Sequence, residues 1–252
     1  MKKRSAVIAL AQISYFKNSD DNVKKIKKYI RLAKKKKADI VCFPESCVHK
    51  KEILHFNHDL INEIKKECAV NSIWCIVNED MKIGRKMYNT AILINRVGKI
   101  EGDYRKINLM GDTEGLNSGS KPKVFQTDFA KIGIAICWDL AFPELFQKMK
   151  KQGAEIVFCP SHWAYETRAH NDNHKNREKK LIRALVGARA FENLYFVGFC
   201  NPKLNAKDIV VYSVIASPHK ILKELSEREG LLVSKINLNE IPKFTKLYEE
   251  CI

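Results

Sequence analysis

Apolar and polar residues follow two alternating patterns along this chain. Short apolar runs, such as residues 6–12, are typical of buried strands. Longer segments carry apolar residues on one helical face: in residues 21–37, Val23, Ile26, Ile30 and Ala33 share a side and lysines occupy the other. The predicted strands are residues 6–12, 39–43, 72–78, 87–95, 99–105, 131–136, 154–159, 194–200, 210–216 and 230–236, and the predicted helices are residues 21–37, 59–70, 143–152 and 176–192.

This alternation of strands and helices predicts an α/β protein whose sheets are covered by helices. Residues 87–95 and 99–105 are expected to form a hairpin around Val97-Gly98. No linker rich in Gly, Ser or Pro divides the chain, so residues 1–252 are predicted to form a single domain. The segment 110–122 is long and irregular, which is typical of a functional or mobile loop.

Composition excludes several classes of protein. Hydrophobic residues make up 45% of the chain, as in globular proteins rather than disordered ones. No stretch approaches the roughly 20 apolar residues of a membrane helix. The first apolar run ends in Gln12 without a small-residue cleavage site, which favours a core strand over a secretion signal. The sequence therefore predicts a cytoplasmic protein with no membrane partner.

The chain is strongly basic, with 45 Lys and Arg against 29 Asp and Glu and a formal net charge of +16. Such a charge can indicate a nucleic-acid or anionic-membrane partner. The lysines are spread along the chain, however, and no nucleic-acid motif with interleaved aromatic residues is present. We therefore favour a solvated lysine-rich surface, which would also steer carboxylate-bearing small molecules towards the protein.

Eight cysteines suggest neither disulfides nor a metal site. Most of them lie inside apolar runs, where a free cysteine behaves as a small hydrophobic residue. No C-x-x-C pair is present, so we expect no structural zinc. Cys137 differs from the others because it comes at the end of the predicted strand 131–136, directly before a turn and the helix that Pro143 opens.

Two charged residues share this position at the end of a strand. Glu45 follows the strand 39–43, and Lys106 follows the strand 99–105. Open α/β sheets place ligands at the carboxyl ends of their strands. A carboxylate there can accept the proton of a thiol, and a lysine can stabilise a thiolate or an oxyanion. We expect desolvation to raise the pKa of such a carboxylate. A Cys–His pair with His162, at the end of strand 154–159, is the competing arrangement.

Three motifs in this order resemble a known family. Phe43-Pro44-Glu45, Tyr104-Arg105-Lys106 and residues 136–144 (Ile-Cys-Trp-Asp-Leu-Ala-Phe-Pro-Glu) are similar to the signature motifs of the nitrilase, or carbon–nitrogen hydrolase, superfamily. Weaker similarities extend over nearly the whole chain. The resemblance implies a four-layer α-β-β-α sandwich and an enzyme that hydrolyses non-peptide carbon–nitrogen bonds without a cofactor.

The same resemblance implies roles for individual residues. Cys137 would be the nucleophile that forms a thioester, Glu45 the general base, and Lys106 the oxyanion stabiliser. The backbone N–H of Trp138 would be a second oxyanion donor, and Glu114 a second glutamate that assists catalysis. The resemblance also implies a homodimer or a higher homo-oligomer. Independently of the resemblance, the side chains of Trp138 and Trp163 are candidates to line the substrate pocket.

The motif around Cys137 is more similar to the amidase and ω-amidase branches than to true nitrilases, which commonly carry Cys-Trp-Glu. The implied substrate is thus a small amide, from which ammonia or an amine is released. Asn108 stands where relatives often have histidine, and Gly187 where they often have arginine. Nitrile or N-carbamoyl hydrolysis at the same site stays an alternative, as does a catalytically silent basic scaffold.

Overall fold

The computed structural model describes residues 4–48, 53–110, 115–165 and 174–249. Two six-stranded mixed sheets form its centre. The first sheet has the order β12-β1-β2-β3-β4-β5 and the second the order β11-β10-β9-β8-β7-β6. The strands of the first sheet are β1 Ser5–Gln12, β2 Ile40–Cys42, β3 Trp74–Ile83, β4 Lys86–Ile94, β5 Ile100–Arg105 and β12 Gly230–Asn237. Those of the second are β6 Val124–Gln126, β7 Lys131–Ile134, β8 Ile156–Pro160, β9 Phe196–Cys200, β10 Tyr212–Ser217 and β11 Lys220–Ser226.

Both sheets have parallel strands at their centres and antiparallel strands at their edges. In the first, β1, β2 and β3 run parallel, while β12, β4 and β5 pair antiparallel with their neighbours. In the second, β7, β8 and β9 run parallel, while β6, β10 and β11 pair antiparallel. The carboxyl ends of the central strands in each sheet therefore lie along one edge of the sheet, the edge that runs across the strands. The motif residues lie at this edge.

The helices cover the outer faces of the two sheets. They are α1 Ser19–Lys35, α2 Asp59–Asn71, α3 Pro143–Lys151 and α4 His174–Asn193; a fifth helix, α5 Glu240–Glu249, follows β12 and joins the core through Ile241. Along β1, Ile8 and Leu10 belong to the core between the sheets, while Ala9 and Ala11 pack with α1 and α2. Because successive side chains of a strand point to opposite faces, this alternation places the first sheet between two apolar layers. With α3 and α4 packed on the second sheet, the fold is a four-layer α-β-β-α sandwich.

Local sequence explains where α1 begins and ends. The side chain of Asn18 accepts hydrogen bonds from the backbone N–H groups of Asp20 and Asp21, which caps the first turn. Acidic residues in that turn and lysines in the last turn complement the helix dipole. The lysine run 34–37 therefore has a structural role here. Within the described ranges, no helix is long and apolar enough to cross a membrane.

The structure corrects the predicted elements in four places. The prediction ended the third strand at residue 78, but β3 continues to Ile83 and forms a hairpin with β4 around Gly84, whose φ is 63°. Strands β6 and β11 and helix α5 were not predicted. Strand β11 carries lysines on its exposed positions because it lies at a sheet edge, where charges block pairing with other chains. The hairpin of β4 and β5 is confirmed.

Candidate active site

Three side chains from distant parts of the chain meet at the shared edge of the sheets. Glu45 follows β2 and Lys106 follows β5, both in the first sheet, while Cys137 follows β7 in the second. The Nζ of Lys106 lies 2.8 Å from Oε1 of Glu45, and Cys137 lines the same cleft as this ion pair. The structure thus brings the three groups together at one cleft.

Both carboxylate oxygens of Glu45 are fixed by hydrogen bonds. Oε1 accepts from Lys106 Nζ and, at 2.7 Å, from Nδ2 of Asn89 on β4. Oε2 accepts from the backbone N–H of His162 at 2.8 Å. Glu45 and Lys106 are each only 3% exposed. Because the pair is deeply buried and both carboxylate oxygens are hydrogen-bonded, the orientation of Glu45 is fixed.

The backbone around Glu45 is tied to both sheets. Its N–H donates to the carbonyl of Ser161 after β8, and its own carbonyl accepts from the hydroxyl of Tyr15 at 2.7 Å. Ser46 has a φ of 55°, and its N–H donates to Oδ1 of Asn78 on β3. A positive φ is uncommon for a non-glycine residue and is retained here because these bonds fix the turn.

Cys137 occupies a sharp turn between β7 and α3. Its φ is 47°, in the left-handed region, and it opens a 3-10 turn over Cys137–Ala141. Pro143 then lies in the first turn of α3, where its missing N–H costs nothing. A strained strand-to-helix turn can lift a nucleophile out of the sheet, as in serine hydrolases. Cys137 is 8% exposed and lines a cleft, whereas the fully buried Cys159 nearby does not.

Asp139 links the turn of Cys137 to the loop of Lys106. Its carboxylate accepts hydrogen bonds from the Tyr104 hydroxyl at 2.7 Å and from the Ile136 N–H at 2.9 Å. It also accepts from both the backbone N–H and the side-chain amide of Asn108, each at 2.9 Å. The asparagine that departs from the usual histidine is therefore a structural partner of Asp139. Burial raises the pKa of Asp139, although these donors oppose the shift.

The electrostatics of the three groups differ from what the sequence suggested. Burial does raise the pKa of Glu45, but the charge and hydrogen bond of Lys106, with smaller contributions from His162 and Cys137, outweigh it and the net shift is downwards. The expected net increase was wrong. Burial, reinforced by the charge of Glu45, raises the pKa of Cys137 well above that of an ordinary thiol, with Lys106 only partly opposing it. The resting site therefore holds a carboxylate and a neutral thiol.

A cleft of about 440 Å³ opens onto Cys137, Glu45 and Lys106. The rings of Trp138 and Trp163 lie 5.5 Å apart at one wall, and Nε1 of Trp163 donates to Glu178 at 2.8 Å. Other residues of the lining are Met110, His162, Tyr165 and Asp208. A larger depression of about 690 Å³ lies between α4 and the turn of β10 and β11, but it contacts none of the three groups. The smaller cleft is the candidate active site because the reactive groups open into it.

Comparison with known proteins shows the family of this chain. A family model described as carbon-nitrogen hydrolase matches residues 7–245. The chain belongs to the carbon–nitrogen hydrolase family. It is therefore a hydrolase that acts on carbon–nitrogen bonds, as the three motifs implied.

Individual relatives resemble this hydrolase over most of its length. The 2-oxoglutaramate amidase of Bacillus subtilis is 28% identical over 243 residues, which covers 90% of this chain and 88% of that protein. A probable nitrilase of Schizosaccharomyces pombe is 29% identical over 185 residues, covering 71% of this chain and 64% of that one. The crystal structure of Saccharomyces cerevisiae Nit3, a nitrilase-superfamily member, superposes with a TM-score of 0.83 at 22% identity, covering 97% of this chain and 94% of that chain. The predicted α/β sandwich is thus confirmed.

The other predicted site residues of this hydrolase differ in where they lie relative to the cleft. Trp138 and Trp163 both line the cleft. His162 contributes its backbone N–H to Glu45, and its ring lies 6.2 Å from that of Tyr15. The prediction for Glu114 falls outside the described residues. Among the described residues, no group of three or more His, Cys, Asp or Glu side chains is arranged to hold a metal ion.

Sequence reasoning missed the polar residues that hold this hydrolase's site together. Asn78, Asn89 and Asp139 are each at most 5% exposed, and each bonds a motif residue or its turn. One signal was available for the two asparagines, because they interrupt apolar runs that predict buried strands. A polar residue at a core position is costly unless it is hydrogen-bonded, so it marks either a network or a site.

Proposed function

We propose that this protein hydrolyses a small non-peptide amide through a thioester on Cys137, with Glu45 as general base and Lys106 as oxyanion stabiliser. The observation that carries the proposal is that all three side chains line one cleft, with Glu45 paired to Lys106 and held by further hydrogen bonds. Nucleophilic catalysis requires a nucleophile with a base close by, and the base is oriented by further groups.

The reaction begins as Glu45 accepts the thiol proton while the sulfur of Cys137 attacks the amide carbon. The carbonyl oxygen becomes an oxyanion, which the Lys106 ammonium and the backbone N–H of Trp138 stabilise. Protonated Glu45 then donates its proton to the leaving nitrogen, and ammonia or an amine departs. Water attacks the thioester while Glu45 accepts its proton, and that proton returns to the sulfur as the carboxylic acid is released. Glu45 thus acts alternately as base and acid.

An amide is the substrate class best supported by the relatives. The Bacillus subtilis relative is named for amidase activity on 2-oxoglutaramate, and the motif around Cys137 is of the amidase type. Ammonia release from a panel of ω-amides, aliphatic amides, carbamoyl compounds and nitriles tests this assignment. Turnover of nitriles or carbamoyl compounds with none of the amides would contradict it.

The pH dependence of the reaction distinguishes Glu45 from His162 as the base. Because the pKa of Glu45 is lowered from its ordinary value of about 4.3, its carboxylate is present throughout neutral and mildly acidic pH. Protonation of Glu45 should thus lower kcat/KM only below about pH 4.3. Between about pH 5.5 and about pH 7, kcat/KM should show no inflection. A histidine base would instead give an inflection near pH 6.5. Initial rates in constant-ionic-strength buffers measure this profile.

Asp139 is proposed to be a positioning residue. In Asp139→Asn, the new NH₂ group faces donors where the carboxylate accepted four hydrogen bonds, and we expect a loss of about 1–3 kcal/mol in the free energy of unfolding. We also expect kcat to fall by about 10- to 100-fold with a smaller change in KM, since the turn of Cys137 loses its register against Lys106. Urea unfolding and steady-state kinetics measure both. Tyr104→Phe removes one donor to Asp139, so its free energy of unfolding and its kcat should lie between those of wild type and Asp139→Asn.

Three further assignments are proposals as well. Residues 1–252 form one catalytic domain, which is supported by the single apolar cluster joining the two sheets. The protein acts in the cytoplasm. It forms a homodimer through its outer helices, which is supported by Leu181 and Phe191 of α4, whose side chains are 47% and 48% exposed. A monomeric mass by light scattering at micromolar concentration would contradict the dimer.

A further inference from the structure

We propose that Asp208 selects amides that carry a positive charge at the end remote from the scissile bond. This inference rests on the proposed function and concerns the substrate class of the same site. It assigns to Asp208 a role in specificity that none of the three motifs contains. The argument depends on where the backbone places this residue, on the charges of the cleft and on its aromatic wall.

Asp208 is held beside the cleft by a short two-stranded ladder. The N–H of Tyr165 donates to the carbonyl of Asp208 at 3.1 Å, and the N–H of Val210 donates to the carbonyl of Trp163 at 3.1 Å. Ala164 and Ile209 pair as an antiparallel bridge between these bonds. Because the backbone of Asp208 is fixed to the segment that supplies Trp163 and Tyr165, its position relative to the wall of the cleft is defined.

The side chain of Asp208 is available to a ligand. The residue is half-buried and lines the cleft. Among the described residues, none forms a hydrogen bond or ion pair with its carboxylate. Glu45 differs in this respect, since Lys106, Asn89 and the N–H of His162 all bind it. Asp208 is therefore a carboxylate in the cleft that the catalytic network does not use.

The charges and rings of the cleft favour a cation near Asp208. Glu45 and Lys106 pair with each other at 2.8 Å, and among the described residues of the lining no other basic side chain is paired with Asp208. Trp138 and Trp163 present a paired aromatic wall, and a cation over an aromatic face gains additional electrostatic stabilisation. An ammonium tail would thus interact with both, whereas a carboxylate tail would be repelled by Asp208 at short range.

The basic surface acts in the opposite direction at long range. The net charge of +16 attracts anions to the whole molecule, but this attraction is screened beyond about 8 Å at physiological ionic strength. Contact with Asp208 inside the cleft is screened less. At about 0.15 M salt, the preference among substrates should therefore depend on the carboxylate of Asp208 rather than on the net charge of the protein.

Matched amides with different tails test the proposal. We would measure kcat/KM of the full chain for 5-aminopentanamide, pentanamide and glutaramate, whose tails are cationic, neutral and anionic. The cationic amide should exceed the anionic one by about tenfold or more, and Asp208→Asn should reduce that ratio by about tenfold. Asp208→Glu should retain most of the preference. Asp59→Asn, which removes an exposed charge at the start of α2 away from the cleft, should leave the ratio unchanged.

A second readout separates failure of this inference from failure of the proposed function. Alkylation of Cys137 by 2-chloroacetamides with N-linked aminopropyl, propyl or carboxyethyl tails, followed by intact-mass spectrometry, requires a reactive thiol but no turnover. Alkylation that depends on tail charge and on Asp208, without amide turnover, would support the inference and overturn the proposed function. Turnover with the same preference in wild type and Asp208→Asn would overturn the inference alone. Absence of both turnover and Cys137 alkylation would overturn both.

Discussion

Replacing Cys137 with alanine is expected to lower kcat/KM for small amides by at least about 10⁴-fold, because it removes the nucleophile of the proposed acyl intermediate. The folded state should change little. Alanine is smaller than cysteine and leaves the ion pair of Glu45 and Lys106 in place. The positive φ at residue 137 is as unfavourable for alanine as for cysteine, so the backbone strain does not change. We expect the free energy of unfolding to stay within about 1 kcal/mol of wild type.

Ammonia release and mass spectrometry with a slowly hydrolysed amide together measure this prediction. The wild type should show a thioester adduct on Cys137 that the variant lacks. Cys68→Ala is a matched control, since Cys68 is a buried cysteine that lies on α2, on the far side of the first sheet. Full activity in Cys137→Ala would exclude the thioester mechanism. Amide turnover absent from the wild type and no adduct at Cys137 would favour the silent basic scaffold.

The second large effect is expected for Glu45→Gln, which should reduce both activity and stability. The substitution keeps the shape of the side chain but removes the base, so kcat/KM should fall by about 10²- to 10⁴-fold. It also leaves the ammonium of Lys106, only 3% exposed, without its counter-charge. Breaking one partner of a buried pair costs about 3–5 kcal/mol. Chemical denaturation and steady-state kinetics measure the two losses.

The double variant Glu45→Gln/Lys106→Met separates these losses. It removes both charges and fills the volume of the lysine stem with an apolar side chain, so most of the lost stability should return. Activity should not return, since both base and oxyanion stabiliser are gone. Recovery of activity together with stability would show that Glu45 and Lys106 serve only to hold the fold. Loss in His162→Ala with retention in Lys106→Ala would instead indicate the Cys–His arrangement.

The order of strands and helices was predictable because periodicity records which faces are buried. The strands of the core, such as β1 and β9, were found from their apolar runs. The second half of β3 was missed because Asn78, Glu79 and Asp80 look like the polar end of a strand. Two of the three, Asn78 and Glu79, are buried, and their side chains accept hydrogen bonds from the turn after Glu45. A strand that supports a site departs from the pattern that identifies other strands.

The sequence could bring Glu45, Lys106 and Cys137 forward as candidates because each follows the end of a predicted strand. Their electrostatics could not be found in the same way, since the pKa of Glu45 depends on groups brought together only by the packing of two sheets. Asp208 was missed for a similar reason: no periodicity or motif sets it apart, and only its ladder with Tyr165 places it in the cleft. Sequence patterns identify which residues lie at the ends of strands. Contacts between the two sheets can be identified only from the three-dimensional structure.

The division of the proposed catalytic groups between the two sheets has a consequence for how the enzyme folds. Glu45 and Lys106 belong to the sheet built mainly from the first part of the chain, and Cys137 with the N–H of His162 to the other. A half-assembled chain, with one sheet formed and the other still unfolded, has no competent centre. In such an intermediate, Cys137 would have the reactivity of an ordinary thiol, and amides would not be hydrolysed. Hydrolytic capacity should thus arise only in the last, docking stage of folding.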